Sequence, residues 1–145
     1  MTITSVLASK GGRVVTIRPE ATIRDALRLL AEHNIGALVV TAEGAERPVG
    51  IVSERDIVRA LARREDVFGD PVRTIMTTDV VVGSPHDDLA SVAHTMTERR
   101  IRHLPVMDQG RLVGIVSIGD VVKAQRDQYQ GEVDTLQLQL LGARP

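Results

Sequence analysis

One seven-residue phrase occurs twice in this chain of 145 residues. Gly50-Ile51-Val52-Ser53-Glu54-Arg55-Asp56 returns as Gly114-Ile115-Val116-Ser117-Ile118-Gly119-Asp120, with Gly, Ile, Val, Ser and Asp unchanged. A duplication of this kind constrains the fold more than any composition does, because the same unit must form twice, within one ordinary domain or as two small lobes sharing a core. Each copy is an apolar strand end, then Ser-x-x-Asp, then a second apolar run. That is the signature of a strand running into a helix start.

The surroundings repeat as well. Thr16-Ile17-Arg18-Pro19 aligns with Val82-Gly83-Ser84-Pro85. Ile23-Ala26-Leu27-Leu30 and Leu89-Val92-Ala93-Met96 carry helical spacing. Asp25 and Asp87 stand early in these segments, where a carboxylate suits the positive end of a helix. Strands are expected at residues 35–40 and 101–106, and again at 48–52 and 111–116. Helices follow from Asp56 to about Arg64 and from Asp120 to about Arg126. The first turn, residues 42–47, is longer than Asp108-Gln109-Gly110, so the repeat offset drops from 66 to 64. Each half therefore reads strand, helix, strand, strand, helix. The strands are apolar at nearly every position, the pattern of strands buried on both faces. The expectation is an α/β fold of two β-α-β-β-α repeats packed sheet to sheet.

Residues 1–66 form the first repeat with an N-terminal extension, 67–126 the second, and 127–145 a C-terminal helical extension. A short helix is expected over residues 2–9, closed by Gly11-Gly12, and a helical turn over Val72 to Met76 in the link. Val122, Tyr129, Val133, Leu136 and Leu140 continue a helix face past the second repeat, with spacing that suits either packing within the chain or a homodimer seam.

Composition removes several function classes. The only aromatics are Phe68 and Tyr129 and the formal net charge is −1, so neither base stacking nor a basic footprint for nucleic acid is available. No apolar run approaches the roughly 20 residues of a membrane span, and no leader pattern opens the chain. With no cysteine, disulfides, thiolate metal sites and Cys nucleophiles are excluded, and a cytoplasmic location is expected.

Ser-x-x-Asp at a helix start resembles a capping box, with Ser53 and Ser117 as N-caps. The same arrangement has binding chemistry. A helix N-terminus offers free N–H groups and a positive dipole end to phosphate. The Ser hydroxyl adds a donor, and a carboxylate accepts from the paired hydroxyls of a ribose. Gly50 and Gly114 allow close approach to the backbone. A nucleoside phosphate fits such a site.

The doubled Gly-Ile-Val-Ser-x-x-Asp, with Ile101-Arg102-His103-Leu104-Pro105-Val106 and Thr74-Ile75-Met76-Thr77, closely resembles a tandem pair of CBS (cystathionine β-synthase) domains, over residues 13–126. The resemblance implies two repeats about a pseudo-two-fold axis, with two clefts between them that take adenine nucleotides: AMP, ADP or ATP, with NAD or S-adenosylmethionine as related ligands. One cleft is expected to use Ser117 and Asp120 with Thr16, Ala21, Ile35, Gly36 and Ala37. The other is expected to use Ser53, Arg55 and Asp56 with Thr78, Val80, Ile101, Arg102 and His103. Pro105 stands where the first repeat has Val39, and Arg102-His103 where it has Gly36-Ala37, so the clefts are not equivalent. The Ser117/Asp120 cleft is expected to be the better seat, because Arg102 and His103 belong to the same repeat. Lys10 is expected to be solvated, and His33, His86 and His94 to face solvent.

The functional expectation is a regulatory, non-catalytic module that binds an adenine nucleotide, pairs as a homodimer and signals to a protein target the sequence does not identify, without metal, nucleic acid or membrane. A structural adaptor with empty clefts is the alternative. A nucleotide-processing enzyme is disfavoured, because neither metal-ligand spacing nor a P-loop is present.

Overall fold

A computed structural model of the chain describes residues 1–11 and 13–142. The expected Gly12 of the first helix stop and the last three residues of the C-terminal extension lie outside the described residues.

Among the described residues the fold is mixed α/β with two small sheets. In the first repeat, β1 (Thr16–Ile17) leads to α2 (Ile23–His33), β2 (Ala37–Thr41), β3 (Pro48–Ser53) and α3 (Glu54–Arg63). Helix α1 (Ile3–Lys10) precedes them and ends at Gly11, whose φ of 92° suits a residue without a side chain. In the second repeat, α4 (Leu89–Arg99) leads to β4 (His103–Asp108), β5 (Arg111–Ser117) and α5 (Ile118–Gly142). The first repeat thus follows the expected order, and the second does so without a regular first strand, with α5 continuing unbroken past Arg126.

The first sheet has the order β1-β2-β3. β1 runs parallel to β2 with Thr16 opposite Val39, and β2 runs antiparallel to β3 with Ala37 opposite Ser53. β4 and β5 pair in the same way, with His103 opposite Ser117. The strand expected at residues 82–85 is reduced to a single parallel bridge, Gly83 to Val106. The Gly83 N–H donates to Pro105 O and its carbonyl accepts from Met107 N, but Pro85 has no N–H with which to extend the ladder.

Two cores result. Leu30, Leu38, Val40, Val52 and Ile57 anchor the first, and Leu89, Met96, Leu104, Val106 and Val116 the second. Along β2 the side chains alternate, so Leu38 and Val40 face this core and Ala37 and Val39 face away. Both sets are buried, as two sheets packed face to face require.

Each core also takes residues from outside its own repeat. Val67 and Val72, in the link, fill the first core, where residues 72–74 make a 3-10 turn. Ile3 and Val6 of α1 fill the second. Leu7 lies over Gly114, where an added Cβ would come within 2.5 Å of Leu7 Cδ2. Met76 lies over Gly50 in the same way, with its Sδ 2.6 Å from an added Cβ. The repeated glycines thus admit a side chain from the segment preceding the other repeat.

Candidate functional site

The repeated phrase forms a strand-to-helix junction twice. At the first, the Ser53 N–H donates to Asp56 Oδ2 at 2.8 Å and the Asp56 N–H to Ser53 Oγ at 3.3 Å. At the second, the Ser117 N–H donates to Asp120 Oδ2 at 2.8 Å and the Asp120 N–H to Ser117 Oγ at 3.1 Å. Both are reciprocal caps that satisfy helix donors which would otherwise have no partner. The next residue of each helix bonds to the neighbouring strand's approach: Glu54 N donates to Gly36 O at 3.0 Å, and Ile118 N to Arg102 O at 2.8 Å. Gly36 and Arg102 are therefore true equivalents, and the difference between them is a difference between the clefts.

A cavity of about 380 Å³ opens at the first junction, between the repeats. The first repeat contributes Gly36, Ile51, Ser53, Glu54, Arg55, Asp56 and Arg59. The second contributes Val80, Val81, Arg100, Ile101, Arg102 and His103, with Thr77 and Asp79 from the link. Of the expected residues, Ser53, Arg55, Asp56, Val80, Ile101, Arg102 and His103 come together here. Thr78 is not among the lining residues, although Thr77 and Asp79 on either side of it are. Gly36, expected in the other cleft, lines this one: a Cβ added there would lie 3.0 Å from Glu54 Oε1 and 3.4 Å from His103 Nε2.

The wall is rich in guanidinium. Among the described residues, none of Arg55, Arg59, Arg100 and Arg102 lies within 4.0 Å of a carboxylate, as the paired Lys10, Arg28, Arg64 and Arg126 do. The four arginines face three carboxylates, Glu54, Asp56 and Asp79. His103 is half-buried. Burial first, then the charges of Lys10 and Arg102, hold its imidazole below the ordinary pKa, against the opposing pull of Asp120 and Glu54. It is the neutral form that this site favours.

The second junction is occupied differently. The Lys10 ammonium, at the end of α1, donates to Asp120 Oδ2 at 2.5 Å. Lys10 is exposed, as expected, but it is also ion-paired, because α1 packs on β5 and brings its ammonium there. Burial raises the Asp120 pKa, but hydrogen bonds from Lys10 and the Ser117 N–H, with the Lys10 charge, outweigh it and hold the carboxyl below its ordinary value. Of the residues expected with Asp120, Thr16 lines a separate open cavity of about 410 Å³ with Arg18, Glu46 and Leu112. Ala37 is buried in β2, and Ala21 and Ile35 pack at the edge of the first core. Pro105 is buried in β4. His86 and His94 are exposed, whereas His33 is half-buried in the last turn of α2.

Two lining arginines were not singled out from the sequence. Arg59 follows Arg55 by one helical turn, so the i, i+4 spacing places both on one face and was readable. Arg100 closes α4 in a left-handed conformation, φ 54°, where the first repeat has Asn34 at φ 51°. Only alignment of the two helix ends would have brought it out.

The comparisons follow the same division of the chain. The family model described as CBS domain matches residues 7–63 and again 72–127. The chain belongs to the CBS-domain family. It carries the domain as a tandem pair. The structure resembles the CBS-domain containing protein ATU1752 from Agrobacterium tumefaciens with a TM-score of 0.82 and 40% identity, over 86% of this chain and 99% of that one. The CBS domain protein PAE2072 from Pyrobaculum aerophilum, solved with AMP, gives a TM-score of 0.74 and 35% identity over 83% and 89%. The CBS domain pair of protein MJ0100, solved with 5-methylthioadenosine and S-adenosyl-L-methionine, gives 0.78 and 27% over 88% and 98%. No helix among the described residues is long and apolar enough to cross a membrane.

Proposed function

We propose that this CBS pair is a regulatory sensor that binds an adenine nucleotide in the Ser53/Asp56 cleft and signals by changing shape or partner affinity. The observation that carries the reading is the convergence of four unpaired arginines on the cavity that holds the open Ser53–Asp56 cap. Asp56 spends Oδ2 on Ser53, and Oδ1 accepts no hydrogen bond from the described residues, so it can receive the two ribose hydroxyls. Arg55, Arg59 and Arg102 then supply planar, permanently charged donors for phosphate. Ile51, Val80 and Ile101 offer apolar contact to the base. The sequence favours the Ser117/Asp120 cleft on the strength of Arg102 and His103; because those residues line the Asp56 cavity, the Ser53/Asp56 cleft is the better seat. The cation-rich wall favours ATP, ADP, AMP or the pyrophosphate of NAD over S-adenosylmethionine, whose sulfonium would meet like charge.

Catalysis is not part of the proposal. The Ser53 hydroxyl donates to Asp56 and accepts the Asp56 N–H, so it serves as a cap and not as a nucleophile beside a base. Among the described residues no group of three His, Asp or Glu side chains is placed to hold a metal. A second activity, pairing with another copy through α5, is favoured by the exposed Val122, Tyr129, Leu136 and Leu140 on that helix.

Isothermal titration with ATP, ADP, AMP, NAD and S-adenosylmethionine tests the assignment. Binding of at least one phosphate-bearing adenosyl ligand is expected, weakened at least tenfold by Asp56→Ala and by Arg102→Ala. Unchanged affinity in both variants would refute the cleft assignment, and no heat with any ligand would refute the sensor reading.

A further inference from the structure

The two caps are built alike and left in opposite states. At each, the serine N–H donates to the carboxylate and the serine hydroxyl accepts from the aspartate N–H. At Asp120 an ammonium is added at 2.5 Å. The segment that brings it has a counterpart in the link. Leu7 of α1 packs on Gly114, and Lys10 follows three residues later. Met76 packs on Gly50, and three residues later stands Asp79, which lines the Asp56 cavity. The position that supplies a cation to one cap therefore supplies an anion to the other. A carboxylate there cannot pair with Asp56 and leaves it open; the ammonium occupies Asp120.

We propose that Lys10 sets how many nucleotides one chain binds, by holding Asp120 in place of ribose hydroxyls and so keeping the Ser117/Asp120 cleft closed. The inference rests on the nucleotide-binding reading above. The ammonium and the Ser117 N–H both sit on Asp120 Oδ2, so a ribose would have to bind Oδ1 beside an ammonium that already neutralises the carboxylate through a charge-assisted hydrogen bond, and such bonds are about twice as strong as neutral ones. The surroundings do not compensate. The residues equivalent to Arg55, Arg100 and Arg102 are Gly119, Asn34 and Gly36, so this junction lacks three of the guanidiniums that face the other. Of the four equivalent positions only that of Arg59 keeps a cation, Lys123.

The test counts ATP molecules per chain by titration calorimetry on the full chain. Lys10→Met keeps the apolar stem and the helix while removing the charge. Wild type is expected to bind one ATP and Lys10→Met two, the second lost again in Lys10→Met/Asp120→Asn. Lys10→Arg, which restores a cation, is expected to bind one. Two ATP per wild-type chain would overturn the proposal, as would a Lys10→Met variant that binds no more ATP than wild type. If wild type binds one and Lys10→Met still one, the Asp56 reading stands and the closure falls. If wild type binds none while Lys10→Met binds one that depends on Asp120, the closure stands and the Asp56 reading falls.

Discussion

At the scale of single residues, His103 is where the two clefts meet. It lines the Asp56 cavity, its ring lies beside Gly36, and the charges of Lys10, Asp120, Glu54 and Arg102 all reach it. Its pKa in the folded chain is lowered, so the unfolded chain binds the extra proton first as pH falls. Stability that depends on neutral His103 is therefore complete above the ordinary value near 6.5, and is lost as pH falls from there through the folded value. Denaturant midpoints measured at pH 7 and pH 5 should fall further in wild type than in His103→Gln; equal falls would show that His103 is not held neutral. The same residue shows what a sequence conceals. Its departure from Ala37 was legible from the repeat, as was the Ser–Asp cap. Which cleft it serves was not, because that depends on how β4 crosses toward the other repeat's helix, a long-range placement that no local spacing encodes.

At the scale of elements, helix α1 is held by three kinds of contact. Ile3 and Val6 are buried in the second core, Leu7 covers Gly114, and Thr4 bonds Pro85 through its backbone N–H and its hydroxyl. Gly114→Ala places a methyl 2.5 Å from Leu7 Cδ2, and overpacking of this kind costs about 1–3 kcal/mol. Thermal unfolding of Gly114→Ala should show that loss; a midpoint within a degree of wild type would mean that α1 does not press on β5. The expectation of a short helix closed by Gly11 was sound because propensity and a stop residue are local. The pairing of Lys10 was missed because it spans 110 residues, and nothing within one turn of the lysine announces its partner.

At the scale of the whole molecule, α5 projects apolar side chains that are largely exposed among the described residues. Tyr129 is 69% exposed and Leu136 59%. In proteins most helical stability comes from packing of an apolar face. Pairing of two copies along this face would supply it. Sedimentation at micromolar concentration should give a dimer for wild type and a monomer for Leu136→Glu/Leu140→Glu; identical dimers would move the interface elsewhere, and a monomeric wild type would dispose of the pairing. The order of the elements followed from the duplication, since periodicity acts locally in each copy; the division into two cores did not. The exchange of segments between the repeats did not, because Val72 and Ile3 look the same whichever core receives them.

That exchange has a consequence in time. The residues that α1 requires, from Pro85 to Val121, lie more than 70 positions downstream of it, with its Thr4 bonded across a separation of 81. The helix, made before either repeat, must wait, with Ile3 and Val6 uncovered, until nearly all of both repeats has been made. Docking of α1 therefore brings Lys10 to Asp120 only once the second repeat has been made.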